Sequence, residues 1–174
     1  GLLGGLAAGG IYVKKRGLSP VFQDIAAVAI PLFHVFGRVG CFLGGCCYGI
    51  ACPVGFVYTQ NPIPMANGVR RFPVQLLEAV FCLGLFLWLY LQLRKGRTGL
   101  LPRYLFCYSV GRFFLEFLRG DDYRGFLWGF STSQWISMLL MAGVAIHWTV
   151  QGVRSRSLGE RAEETLTDPQ PEKE

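Results

Sequence analysis

The chain has 174 residues, of which 52% are hydrophobic and only 16% charged, and its mean hydropathy is positive. Those proportions exclude an ordinary soluble domain and suit one polytopic membrane domain. The net charge of +6 does not point to nucleic acid, because the lysines and arginines fall in short clusters between apolar runs, which is the pattern of membrane topology.

The chain opens on Gly1-Leu2-Leu3-Gly4-Gly5-Leu6-Ala7-Ala8, with neither a methionine nor a basic stretch ahead of the apolar residues, so it is expected to start inside a longer protein. Gly1 to Val13 is apolar, but at about 1.5 Å per residue it is too short to cross a hydrocarbon core of about 30 Å. It reads as the second half of a span, ended by Lys14-Lys15-Arg16 and the turn Gly17-Leu18-Ser19-Pro20. A second span is expected from Asp24 to Gly49, with Asp24 near an N-terminus where the helix dipole favours a carboxylate. This span carries Arg38 among Gly37, Gly40, Gly44, Gly45 and Gly49. An arginine near the bilayer centre costs roughly 2.5–3.5 kcal/mol, so Arg38 should face the protein interior or a wet cavity. The glycines allow close backbone approach, and together these residues predict a helix that breaks around a buried cation.

Ile50 to Arg71 is predicted as a loop containing Pro53, Pro62 and Pro64, with extended structure around Gly55-Phe56-Val57-Tyr58. A third span follows from Val74 to Leu93 and stops at Arg94-Lys95-Gly96-Arg97; a fourth runs from Gly99 to Leu118 and a fifth from Thr132 to Val150. The expected fold is therefore all-α: a polytopic transmembrane helix bundle with a broken, glycine-rich second helix and a Pro-rich outer loop. Residues 1–151 form its transmembrane domain, and residues 152–174 form a charged tail, disordered or loosely helical. Lys14-Lys15-Arg16, Arg94-Lys95-Arg97 and Arg154-Arg156 fall at alternate ends of successive spans, which places the tail in the cytoplasm. Arg70-Arg71 and Arg119 with Arg124 fall on the other side. Arg119 and Arg124 bracket Asp121 and Asp122, consistent with a mixed-charge surface.

Tyr108, Arg112, Glu116 and Arg119 lie within about 80° of one helical face, which must look inward on a membrane helix. An Arg112–Glu116 ion pair that neutralises itself is one account of them, and interhelical hydrogen bonding is one account of Gln75 and Glu78. Their number argues for more, since every unpaired polar group costs kilocalories in hydrocarbon. Two arginines on the outer side make a cradle for a phosphate, because the guanidinium fork donates bidentately to phosphate oxygens. The nearest phosphate is that of an anionic membrane lipid. A small transporter would also use buried charges, but no internal repeat is visible.

Gly37-Arg38-Val39-Gly40-Cys41-Phe42-Leu43-Gly44-Gly45-Cys46-Cys47-Tyr48-Gly49 resembles the G-R-x-G-N-F-x-N-x-E-x-x-G signature of the prolipoprotein diacylglyceryl transferase family. Phe72-Pro73-Val74-Gln75-Leu76-Leu77-Glu78 is similar to its H-P-x-Q-L-Y-E. Tyr108 to Asp121 resembles its Y-G-x-x-R-F-x-x-E-x-x-R-x-x-D, and Ser133-Gln134-Trp135-Ile136-Ser137 its G-Q-x-x-S. The resemblance implies a multi-pass enzyme of the bacterial inner membrane that needs no cofactor and acts on phosphatidylglycerol and the signal peptide of an exported prelipoprotein. It transfers a diacylglyceryl group to the lipobox cysteine. By that resemblance Arg38, Tyr108 and Arg112 would be catalytic. Arg38, Cys41, Gly49, Gln75 and Arg112 would bind substrate, and Glu78, Glu116 and Arg119 would position the arginines. The sequence departs from the signature at Cys41, at Cys46 and Cys47, and at Phe72, which stands where the family has histidine. By the resemblance the family's other histidine would fall just ahead of Gly1 or be missing, and neither His34 nor His147 occupies its position. A catalytically weak homologue that binds anionic phospholipid or a membrane partner is the alternative.

Cys41, Cys46, Cys47 and Cys52 follow the spacing C-x4-C-C-x4-C, which lacks the C-x2-C pairs usual in zinc sites, so no metal is expected. A disulfide from Cys46 or Cys47 to Cys41 or Cys52 is expected if the cluster faces an oxidising compartment. For Cys82 and Cys107 plain packing is expected.

Overall fold

The structure, a computed structural model, describes residues 2–17, 19–120 and 126–167. Five helices follow one another: α1 (Leu2–Arg16), α2 (Pro20–Leu43), α3 (Val74–Arg94), α4 (Leu100–Leu115) and α5 (Thr132–Thr167). Two small antiparallel pairs lie between them, β1 (Ala51–Val57) with β2 (Arg70–Arg71), and β3 (Phe126–Leu127) with β4 (Phe130–Ser131). Three stretches are long and apolar enough to cross a membrane: Val21–Leu43, Val74–Arg94 and Thr132–Leu158. The helix faces turned away from the bundle carry large exposed apolar side chains, Phe33 at 82% and Leu139 at 69% among them. Exposure on that scale suits lipid rather than water. The chain is a membrane helical protein.

Local sequence explains where the helices stop. Ser19 caps α2, its hydroxyl accepting from the Val21 N–H at 3.4 Å, and Pro20 takes the first helical position, where no N–H is needed. At the other end, Gly45 adopts φ +65, and the N–H groups of Gly45 and Cys46 return to the carbonyls of Phe42 (3.2 Å) and Cys41 (3.1 Å). This is a Schellman cap, and it needs a glycine in the left-handed position. The same device ends α3, with Gly96 at φ +69, Gly96 N–H to Leu93 O and Arg97 N–H to Gln92 O. The residues expected to break the second helix therefore act later than predicted. The helix runs unbroken through Gly37, Arg38 and Gly40, whose bonds stay intrahelical, and only the Gly44-Gly45 pair ends it.

Asp24 also has a different task from the expected one. It is 3% exposed and lies inside α2, and its carboxylate accepts the N–H groups of Gly99 (3.2 Å) and Leu100 (2.7 Å). It therefore caps α4, whose own N-cap residue, Gly99, has no side chain to do so. The carboxylate meets a helix dipole as anticipated, but that of a neighbouring helix. Around this joint sits the apolar core: Ala27 and Val28 of α2, Leu85 and Leu89 of α3, and Leu100 and Tyr104 of α4.

Helix α4 has 16 residues, about 24 Å of rise, and its 3-10 continuation over Glu116–Leu118 adds about 6 Å. The fifth helix does not stop at Val150 but continues to Thr167. Residues 121–125, which hold Asp121, Asp122 and Arg124, and residues 168–174 lie outside the described residues. The Pro-rich loop folds back on the end of α2, Tyr58 donating to Phe42 O at 3.2 Å and Asn61 Nδ2 to Gly44 O at 3.3 Å. Burial, partly offset by a hydrogen bond with Gln75, holds the Tyr58 hydroxyl above its ordinary range, so it remains a donor. Arg71 organises the same loop. It lies 4.1 Å over the Tyr48 ring and donates to Met65 O at 2.6 Å.

Candidate functional site

Two arginine–carboxylate pairs lie side by side where α2, α3 and α4 meet the loops. Glu78, one turn into α3 and 2% exposed, accepts from Arg38 Nε of α2 at 3.0 Å and from the Tyr108 hydroxyl of α4 at 3.5 Å. One turn further along α4, Arg112 Nη2 pairs with Glu116 Oε2 at 2.6 Å and donates to Ser133 Oγ of α5 at 3.2 Å. Arg119 Nε approaches the same carboxylate at 3.9 Å. Tyr108 and Arg112 are about 6 Å apart along the helix, so Tyr108 stands between the pairs. The intrahelical ion pair foreseen between Arg112 and Glu116 is present, spanning α4 and its 3-10 continuation, and it reaches α5 through Ser133.

The pairs do not use all the hydrogen-bonding capacity that is buried with them. Among the described residues, Arg112 Nη1, Gln75 Oε1 and Ser109 Oγ are buried without a partner. Each such atom costs on the order of 1–3 kcal/mol unless something else meets it. Arg71 Nε and Gln92 Oε1 are orphaned as well, so such atoms are not confined to the pairs; Arg112 Nη1, beside Glu116, is the donor left over for a polar ligand. Arg38 keeps about a fifth of its side chain exposed (21%), whereas Arg112 is almost enclosed (9%).

The other predicted residues are placed as follows. Gln75 Nε2 donates to Cys46 O at 2.8 Å, which ties α3 to the turn after α2. Gly49 is bridged to Arg119 and flanked by the backbone of Phe72 and Leu118, where a Cβ would meet both carbonyl oxygens. The absence of a side chain lets three backbone segments cross there. Cys41 lies with Cys46 and Cys47 in a group of thiols. Cys52 is not part of that group, and all six cysteines carry thiols rather than disulfides.

Two contributions were not foreseen. His34 lies one turn before Arg38, with its Nδ1 3.4 Å from the Tyr104 hydroxyl and its ring 5.0 Å from that of Tyr108. Its four-residue spacing from Arg38 was the available signal, since it puts both on one face. Ser131 and Gln134 form a reciprocal cap at the start of α5. Gln134 N–H donates to Ser131 Oγ at 3.2 Å, and Ser131 N–H to Gln134 Oε1 at 2.9 Å. The S-x-x-Q spacing is readable as a capping box, which fixes Ser133 beside Arg112.

The sequence profile of the family described as prolipoprotein diacylglyceryl transferase matches residues 1–150. The chain belongs to the prolipoprotein diacylglyceryl transferase family. Phosphatidylglycerol–prolipoprotein diacylglyceryl transferase 2 of Clostridium perfringens is 36% identical over 137 residues, covering 76% of this chain and 53% of its own. A protein of the same name, without the number, from Clostridium tetani is 35% identical over 142 residues, 79% of this chain and 56% of its own. One from Campylobacter jejuni is 34% identical over 147 residues, 80% and 51% respectively. The chain spans about half the length of the curated relatives it matches.

Proposed function

We propose that the chain takes part in transferring a diacylglyceryl group from phosphatidylglycerol to the lipobox cysteine thiol of an exported prelipoprotein, in the bacterial inner membrane with residues 152–174 on the cytoplasmic side. The supporting observation is the pair of arginines on either side of Tyr108, held by buried carboxylates in an apolar bundle, with Arg112 Nη1 unpaired among the described residues. In this reading the orphaned donor and the part-exposed Arg38 receive the phosphate of the lipid. The proposed catalytic residues are Arg38, Tyr108 and Arg112, with Glu78, Glu116 and Arg119 positioning the guanidinium groups and Gln75, Cys41 and Gly49 shaping the substrate side.

The chemistry is a displacement that needs no cofactor. A carbon–sulfur bond forms to the diacylglyceryl carbon while that carbon's bond to the phosphate oxygen breaks. The electron pair leaves with glycerol phosphate, and the thiol proton is lost to a base. Negative charge grows on the leaving phosphate, where preorganised guanidinium donors lower the barrier; one such donor is typically worth about 2.7–4 kcal/mol. Pairing with Glu78 and Glu116 fixes the donors beforehand, so little reorganisation is required during the reaction.

The test is incubation of the purified protein, in phosphatidylglycerol vesicles, with a synthetic lipobox peptide, followed by mass spectrometry. The expected result is a diacylglyceryl mass increment on the peptide cysteine that disappears when phosphatidylethanolamine replaces phosphatidylglycerol. Saturable binding of phosphatidylglycerol without any increment would overturn the transferase reading in favour of a lipid-binding homologue.

A further inference from the structure

The cysteine group at the end of α2 follows Arg38 along the chain, and although Cys41 is proposed to help shape the substrate side, none of the three thiols has a reacting role in the proposed transfer. The Sγ atoms of Cys41, Cys46 and Cys47 all lie within 4.8 Å of one another. Backbone geometry produces this convergence. The Schellman cap folds Cys46 back over the last helical turn, its N–H on Cys41 O at 3.1 Å and its Sγ 3.7 Å from the same oxygen. Cys47 then takes φ +56, one of two non-glycine residues with positive φ among those described. Adjacent side chains in extended backbone point to opposite faces, and the left-handed residue breaks that alternation. Such a conformation costs on the order of 1 kcal/mol or more and persists only where the surroundings enforce it. Adjacent cysteines, which ordinarily diverge, here converge on a third one from the preceding helix.

We propose that Cys41, Cys46 and Cys47 form a three-thiolate site for one soft, monovalent d10 cation, Cu(I). Sulfur ligands select soft ions, and three thiolates complete a trigonal shell. With metal–sulfur bonds of about 2.3 Å, the sulfurs of such a shell lie about 4 Å apart, so less than an ångström of closure is needed from the observed limit of 4.8 Å. A structural zinc ion would need a fourth ligand, and no further His, Cys, Asp or Glu among the described residues joins the group. Binding exchanges the thiol protons for the cation and changes no oxidation state. Because Cys46 O accepts from Gln75 Nε2, an ion held here also braces the end of α2 against α3. The site stands whether or not the transferase reading does.

The experiment is anaerobic titration of the purified, reduced protein with Cu(I) against a competing chelator, together with X-ray absorption of the loaded, unmutated protein. One tightly held Cu(I) per chain with a first shell of three sulfurs is expected. Cys41→Ser and Cys47→Ser should each weaken binding by more than about 100-fold, the upper figure for losing a partner one shell further out. Cys52→Ser and Cys82→Ser should leave it unchanged. A shell containing nitrogen or oxygen, a loss of affinity in the Cys52 or Cys82 variant equal to that in the Cys41 variant, or a disulfide between any two of the three cysteines in anaerobically isolated protein would each overturn the site. The absorption result does not depend on whether the serine variants fold.

Discussion

Removing the charge of Glu78 should expose how much of the bundle depends on the Arg38 pair. Glu78 is almost completely buried and, among the described residues, pairs its carboxylate with Arg38 at 3.0 Å. Glu78→Gln keeps the volume and leaves a guanidinium facing a neutral amide. Breaking a buried pair from one side costs about 3–5 kcal/mol, and because Arg38 keeps 21% of its side chain exposed, the lower end, about 3 kcal/mol, applies. Arg38→Gln alone should cost a similar amount by stranding the carboxylate. The double variant strands neither charge, so its cost should fall short of the sum of the two by at least about 2 kcal/mol. Equilibrium unfolding in mixed micelles, followed by circular dichroism and tryptophan fluorescence, measures all three. Additivity to within about 0.5 kcal/mol would refute the pairing as an energetic unit.

Asp24→Ala should destabilise the protein by about 1–2 kcal/mol and deprotect the amides of Gly99 and Leu100 in hydrogen exchange, since both lose their acceptor; unchanged protection would rule out the cap between helices. Arg38→Lys and Arg112→Lys keep the charge but lose the guanidinium fork, so each should lower turnover by about a hundredfold or more while the protein stays monodisperse. Near-full activity in either variant would make that arginine structural. Single cysteines at Ser157 and Asn67, in a background without the native ones, should label from opposite sides of the membrane, as the three basic clusters require. Labelling of both from one side would overturn that topology.

Composition and the apolar runs between basic clusters were enough to determine a helical membrane protein, because hydrocarbon admits few backbone arrangements and their lengths are fixed by the bilayer. The stop at Gly96 was also legible, since capping is local chemistry, whereas Ser19-Pro20 was read as a turn and the second helix was expected to start near Asp24 and run to Gly49, so neither of its ends was placed. The family motifs singled out Arg38, Gln75, Glu78, Tyr108, Arg112 and Glu116, and the helical spacing of the last three put them on one face. What the sequence could not supply was partners across elements. That Arg38 meets Glu78, that Asp24 caps a helix starting 76 residues later, and that Ser133 reaches Arg112 all depend on how helices pack against one another. The glycine-rich stretch was misread for the same reason. Whether a glycine ends a helix depends on its φ and on the carbonyls left to satisfy, and in that stretch only Gly45, at φ +65, meets both conditions. The three thiols were visible as letters, but their convergence rests on one cap and one left-handed residue, a geometry that only the folded backbone decides.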